Sequence, residues 1–246
     1  MAQRAPFFWL HIKKSGGQST RGLLAPEYRQ VDRSKKPYTF IAADPSEHND
    51  ILNNYRIPLG DYQFRRAQFA KTFLYKEDWS NTCSFAFSRD PVRRSVSAFL
   101  NLTRMMEKDR HGRLQRALGR VIRTRNRQHR MFDRFCDMIE ETRASGSIYR
   151  PYGLSFSTHT AAMFDDVTDN DGTILLRYVF RLEDLTDGIN LVLSDCGIAR
   201  QVAPMKARAN VQKKAAHFVP SPEQVRRIEH LYGKDFDLHE SACHRF

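Results

Sequence analysis

The sequence predicts an α/β fold: a central, mainly parallel sheet flanked by helices, with helical insertions. Three observations point that way. Two apolar, aromatic-rich runs, Phe7-Phe8-Trp9-Leu10 and Ser84-Phe85-Ala86-Phe87, each feed directly into a helix start, the pattern of buried parallel strands rather than of alternating hairpins. A third run, Leu175 to Phe180, is likewise followed by a helical stretch that ends near Gly197. No Pro/Gly/Ser-rich linker divides the 246 residues, so residues 1–246 are read as a single domain with a helical, Arg-rich insertion at about 101–146.

Taken in order, the first strand leads into a glycine turn and a short helix reaching about Leu24. Tyr38 to Ala42 reads as a second strand, and Asp61 to Lys71 as a helix before the strand that ends at Ser88. Asp90 then caps a helix whose first position is Pro91, the favoured helix opening. Val92, Val96, Phe99 and Leu100 recur at helical spacing behind it. The chain stays mostly helical to Gly146, which follows Met131, Phe132, Phe135, Met138 and Ile139 as a C-terminal cap. Ser155 to Phe164 reads as another helix, and Ser221-Pro222-Glu223-Gln224 is a capping box opening a last one through Val225, Ile228 and Leu231.

The two strand-to-helix junctions carry the chemistry. In His11-Ile12-Lys13-Lys14-Ser15-Gly16-Gly17-Gln18-Ser19 the glycine pair lets successive N–H groups face one concavity at a helix N-terminus, where an anion meets amide donors and the helix dipole. Lys14 adds a full charge and Ser19 a hydroxyl. A nucleotide-binding P-loop needs its lysine after the glycines, and here Lys14 precedes them, which disfavours ATP or GTP chemistry and a nucleotide kinase. At the second junction Arg89 stands just before a helix, its planar fork suited to a phosphate monoester.

These residues resemble the sulfotransferases that use 3′-phosphoadenosine 5′-phosphosulfate (PAPS), in the carbohydrate-modifying branch known as sulfotransferase family 2. That branch carries His-Ile-Pro-Lys-Thr-Gly-Gly-Thr-Ser and Arg-Asp-Pro-x-x-Arg-x-x-Ser-Ala-Tyr. The counterparts are His11 to Ser19 and Arg89 to Phe99, with Lys13 in place of proline and Phe99 in place of tyrosine. Tyr178-Val179-Phe180-Arg181-Leu182-Glu183-Asp184-Leu185 and Tyr232-Gly233-Lys234-Asp235-Phe236 extend the likeness to nearly the whole chain.

The resemblance implies a P-loop-like three-layer fold, PAPS as co-substrate and 3′-phosphoadenosine 5′-phosphate (PAP) as product. It implies that Lys14 contacts the 5′-phosphosulfate, that Ser15, Gly16, Gly17, Gln18 and Ser19 wrap it, and that Arg89 and Ser97 hold the 3′-phosphate. Arg208 and Asn210 would add adenine or phosphate contacts, in a loop with Gln212 where the family has serine.

Sulfuryl transfer needs in-line geometry, charge stabilisation on the leaving phosphate and a base for the acceptor hydroxyl. Lys14 is the expected stabiliser. The family sets its base between the two phosphate motifs, where His48 is the only histidine, and Glu47 and Asp44 are its rivals. His159 is a further candidate for a substrate contact, whereas His11 is expected to orient the phosphate loop.

The net charge of +12 is concentrated: between Arg104 and Arg134 there are eleven Lys/Arg against three Asp/Glu. Arg113, Arg116, Arg120, Arg123, Arg127, Arg130 and Arg134 follow a three-four spacing that lines one helix face. This stripe is either a solvated face or a dock for an anionic acceptor, with Arg116, Arg120 and Arg123 at its centre. Nucleic acid is disfavoured because aromatic residues are not interleaved along the arginines as stacking on single strands would favour, Phe132 alone standing between two of them.

Cys83, Cys136, Cys196 and Cys243 have neither Cys-x-x-Cys spacing nor a neighbouring histidine pair, so reduced thiols and no metal are expected. The first strand begins close to Met1, leaving no room for a signal peptide, and no run is long enough to span a membrane, so a cytoplasmic protein is expected. The function expected is sulfuryl transfer to a carbohydrate hydroxyl. The alternatives are a small-molecule hydroxyl acceptor or a polyanion-binding protein that keeps the fold without catalysis. The sequence leaves the oligomeric state open.

Overall fold

The computed structural model of the chain describes residues 7–32, 39–108, 127–146, 152–203 and 218–242. It divides into two compact units, one of residues 1–89, 162–211 and 238–246, the other of residues 90–161 and 212–237.

The first unit holds the sheet. Strands β1 (Phe7–Leu10), β2 (Cys83–Ser88) and β3 (Tyr178–Arg181) are all parallel, in the order β1-β2-β3. Trp9 pairs with Phe85, and Phe85 with Tyr178. Side chains alternate across a strand, so each one feeds two cores. Phe8, Leu10, Ala86 and Val179 pack on one face with Leu52, Ala67, Met163 and Val167. Trp9, Phe85, Phe87, Tyr178 and Phe180 pack on the other with Leu24, Ile189, Val192 and Leu193. Coverage of both faces explains why these strands read as continuous apolar runs, and it makes the three-layer α/β arrangement expected from the sequence.

The covering elements are helix α1 (Gly17–Leu24), α2 (His48–Leu52), α3 (Arg66–Phe69, continued as a π-helical turn to Tyr75), α7 (Met163–Val167) and α8 (Leu185–Asp195). In α8, Gly188 lies against the Phe180 ring, and a Cβ there would come within 2.8 Å of it. The close approach of α8 to β3 therefore requires glycine at that position.

The second unit is helical: α4 (Pro91–Lys108), α5 (Arg127–Ala144), α6 (Leu154–Thr160) and most of α9 (Pro222–Ser241). Met131, Phe132, Phe135, Met138 and Ile139 are all buried, the stripe the sequence predicted for α5. The Phe132 and Phe135 rings join Phe99, Phe156 and Phe218, with centroid separations such as 5.2 Å for Phe99–Phe132 and 5.8 Å for Phe135–Phe156. On α4 Phe99 is buried, while Val92, Val96 and Leu100 are only half-buried. The expected punctuation is present. Asp90 Oδ1 accepts the Arg93 N–H at 2.7 Å, and Gly146 takes a left-handed φ of 62° after α5. Ser221 and Gln224 close the capping box reciprocally at 3.3 and 3.0 Å.

Several sequence expectations need correction. Phe40–Ala42 is a 3-10 turn and not part of a strand: Ile41 is 99 % exposed, whereas a strand of this sheet must bury both faces. Instead Phe40 turns its ring onto Phe69 and His48. The helix expected over Asp61 to Lys71 is a 3-10 turn, Gly60–Tyr62, and then α3, because Asp166 from a distant segment caps the Arg66 N–H at 3.0 Å. The helix expected over Ser155 to Phe164 ends at Thr160. Its carbonyl accepts the Tyr232 hydroxyl at 2.6 Å, and the next carbonyl, Ala161, accepts Arg94 at 2.6 Å. β3 starts at Tyr178, three residues later than expected.

Candidate active site

In an open parallel sheet the carboxyl ends of the strands are where ligands bind. Here the β1 end delivers the glycine turn. Lys14 adopts φ 68° and Gly16 φ 76°, so two left-handed residues bend the chain between β1 and α1. Gly16 is the N-cap of α1, and Thr20 N–H returns to its carbonyl at 3.0 Å. The first-turn N–H groups of α1 therefore point out of its N-terminus, the orientation an anion requires.

A side chain at either glycine would force a neighbour to move. A Cβ on Gly16 would fall 2.2 Å from Leu182 Cδ1, and one on Gly17 would fall 1.7 Å from His11 Nε2. The His11 ring occupies the space that Gly17 leaves, stacked on Trp9 with centroids 5.1 Å apart.

At the adjacent β2 end, Arg89 Nη1 donates to the Lys14 carbonyl at 3.0 Å. The two cations singled out in the sequence are thereby brought together, one holding the backbone of the other. Both are half-buried. The remaining loop residues differ in what they present. Gln18 is exposed and Ser19 half-buried, but Ser15 is buried, its hydroxyl turned to Met163 Sδ at 3.9 Å and its N–H to Ile12 O at 3.3 Å.

α2 is fastened to the same strand end. Asn49 and Asn53 each donate to the Trp9 carbonyl at 2.7 Å, and Asn53 Oδ1 accepts the His11 N–H at 2.8 Å. Arg21 pairs with Asp50 at 2.5 Å, tying α2 to α1. His48 opens α2, next to Asn49, with the edge of Phe40 against its ring. Burial pushes the His48 imidazole below its ordinary value, opposed by the Ala43 carbonyl and by Asp44 and Glu47. The result is a neutral ring able to accept a proton. The rivals are engaged elsewhere: Glu47 pairs with Arg29 at 3.1 Å, and the Ser46 hydroxyl and N–H hold Asp44 below the usual carboxylate range.

Ser97 is half-buried on α4 and His159 lies in the last turn of α6, both in the second unit. His159 Nδ1 must donate to the Ser155 carbonyl, 2.7 Å away, so in the neutral ring the basic nitrogen is Nε2. Arg113, Arg116, Arg120, Arg123, Arg208, Asn210 and Cys243 lie outside the described residues. Of the rest of the stripe, Arg127 and Arg130 are exposed on α5, while Arg134 is bonded to Glu141 and Tyr152.

Sequence reasoning missed the scaffold beneath the loop. Arg66, buried, donates to Asp166 through Nε at 3.0 Å and to the His11 carbonyl through Nη2 at 3.1 Å. Nothing local links residues a hundred positions apart, so that pair left no signal. Asn49 and Asn53 did leave one: two amides four residues apart, flanking the apolar pair Ile51-Leu52. Among the described residues, no group of three His, Cys, Asp or Glu is positioned to hold a metal ion, and no helix is long and apolar enough to cross a membrane.

Comparison with curated proteins and with solved structures gives no match. Comparison with family models gives one: residues 1–240 match the model of the sulfotransferase family. A match over that span includes both phosphate-loop junctions and the C-terminal helix, and the chain belongs to the sulfotransferase family, enzymes whose sulfate donor is PAPS.

Proposed function

We propose that this sulfotransferase moves the sulfuryl group of PAPS to a hydroxyl of a carbohydrate acceptor and releases PAP. The observation that carries the reading is the Arg89–Lys14 bond, which joins the two anion-binding junctions on adjacent parallel strands. When bound, the donor supplies an activated sulfuryl group on a phosphate leaving group. Lys14 stabilises the charge that develops on that phosphate, with the N–H groups of Gly16, Gly17, Gln18 and Ser19 around it. Ser15 braces the turn from below.

Arg89 holds the 3′-phosphate with its fork. Ser97, Arg208 and Asn210 share that role on the strength of the resemblance alone. His48 takes the acceptor proton as the hydroxyl oxygen attacks sulfur and the bond from sulfur to the 5′-phosphate oxygen breaks.

The net charge of +12 supports an anionic carbohydrate, with Arg116, Arg120, Arg123 and His159 as its contacts. A small-molecule hydroxyl acceptor has one observation in its favour. Phe40, Phe69, Phe73 and Tyr62 form a run of rings beginning at His48, with centroids 5.1 to 6.0 Å apart. The expected site of action is the cytoplasm.

Calorimetry with PAP, using wild type, Lys14→Ala and Arg89→Ala with ATP as control, tests the donor site. Tight binding that needs Arg89 and the 3′-phosphate is expected, and equal binding of ATP refutes the assignment. Transfer from labelled PAPS to anionic polysaccharides and to phenols then separates the acceptors. PAP binding without any transfer would favour the non-catalytic polyanion binder. Reversal of Arg116, Arg120 and Arg123 to glutamate should weaken a polysaccharide acceptor at low salt.

A further inference from the structure

Lys13 stands where the resembling motif has proline, and its side chain is almost completely buried, at 9 % exposure. Its ammonium lies 3.3 Å from His11 Nδ1, donates to the Asn53 carbonyl at 3.1 Å and sits over the Tyr55 ring at 5.5 Å from the centroid. A lysine ammonium has only donors to offer. The His11 Nδ1 facing it must therefore be the lone-pair nitrogen, and the ring proton then resides on Nε2. That nitrogen is the one set against Gly17 at the first turn of α1, 1.7 Å from where a Cβ would stand.

The ring has little freedom to choose otherwise. It is stacked on Trp9, and the residue's backbone is held on both sides, its peptide N–H by Asn53 Oδ1 and its carbonyl by Arg66. Asn53 thus binds both residues, accepting the His11 N–H on its side chain and the Lys13 ammonium on its carbonyl. A proline at position 13 would offer no donor to fix the ring.

We propose that Lys13 is a positioning residue that locks His11 as the Nε2–H tautomer, adding a side-chain donor to the backbone N–H groups at the start of α1. The acceptor of that donor is an oxygen of the phosphosulfate group, so the proposal rests on the donor-site reading above. An imidazole N–H at this point supplies what the inward-turned Ser15 hydroxyl does not.

The test is made on the full chain labelled with 15N-histidine. Long-range 1H–15N correlation spectra of the free protein read the tautomer, and loss of the signal in His11→Gln assigns it among the nine histidines. Wild type should show Nε2–H alone. Lys13→Met and Lys13→Gln should lose that fixed signature and bind PAPS or PAP about tenfold more weakly, and Lys13→Arg should restore both. Two uncharged replacements guard against one that fails to fold.

An Nδ1–H signature in wild type overturns the proposal, as does a tautomer in Lys13→Met identical to wild type. A changed tautomer with unchanged affinity overturns the donor role of His11. Failure of wild type to bind PAP refutes the donor-site reading instead, a result read independently of the tautomer spectrum of the free protein.

Discussion

Asp235 is completely buried, 3.5 Å from Arg94 Nη1, one turn into α4. This contact joins the Arg-Asp-Pro-x-x-Arg segment to the Tyr-x-x-Asp-Phe segment near the chain end, with Tyr232 stacked 4.7 Å from Arg143 and 6.0 Å from Arg94. Burial pushes the Tyr232 phenol up to about 12, so it stays a neutral donor to the Thr160 carbonyl. Both segments thus serve the packing of the helical unit. Asp235→Ala removes a buried carboxylate from the Arg94 guanidinium and should cost about 3–5 kcal/mol by urea unfolding, whereas a joint Arg94→Met, Asp235→Leu exchange should cost far less. An unchanged midpoint for Asp235→Ala would remove the pair from the account of stability.

Two glycines of α1 should respond in opposite ways. Alanine at Gly17 collides with His11 Nε2 and drives the ring off Trp9, so PAP affinity should fall by an order of magnitude or more. Gly22 has open space where a methyl would stand, and it should accept alanine with a gain of about 0.5–1 kcal/mol. Calorimetric binding and thermal unfolding of the two variants decide the matter.

For His48 the sign of the pH effect is fixed by burial. A base works unprotonated, and its pKa is lowered below the ordinary 6.5, so the acid limb of kcat/KM should lie below that value. A limb above it speaks against His48. His48→Ala should lower kcat by about 10²–10⁴-fold and abolish the limb. Turnover equal to wild type would pass the role to Glu47.

The capping box of α9 does two jobs. Beyond its bond to Ser221, Gln224 donates to the His129 carbonyl at 3.0 Å and to Asp133 Oδ1 at 2.6 Å, linking α9 to α5. Ser221→Ala should therefore cost about 1 kcal/mol and Gln224→Ala about 2, measured by denaturant titration. Equal costs would mean that the links to α5 contribute nothing.

The legible parts of the chain were those whose physics is local. The apolar runs gave β1 and β2, Asp90-Pro91 and the Ser221 box gave two helix starts, and the glycine pair gave the anion turn. Where the outcome depended on a distant partner, the sequence misled: Asp166 resets the start of α3, Arg94 and Tyr232 stop α6, and Phe40 leaves the sheet for Phe69. The polar scaffold of Asn49, Asn53, Arg66 and Asp166 belongs to the same class. Each residue alone is an ordinary surface type, and only the fold makes it interior.

Among the described residues the sheet has only parallel pairings and no hairpin. Phe7 finds its partner at Cys83, Phe85 finds its second at Tyr178, and Arg181 at the end of β3 is held by the carbonyls of His239 and Glu240 at 3.0 and 2.6 Å. Parallel pairings of such long range form slowly, because loop closure must precede any reward from contact. Chain order separates the parts: the guanidinium that braces the turn at Lys14 follows it by 75 residues, and the carbonyls that hold β3 follow later still. A ribosome-bound chain stopped before His239 would be unable to retain PAP, and donor binding would report completion of the whole first unit rather than local folding of its N-terminal loop.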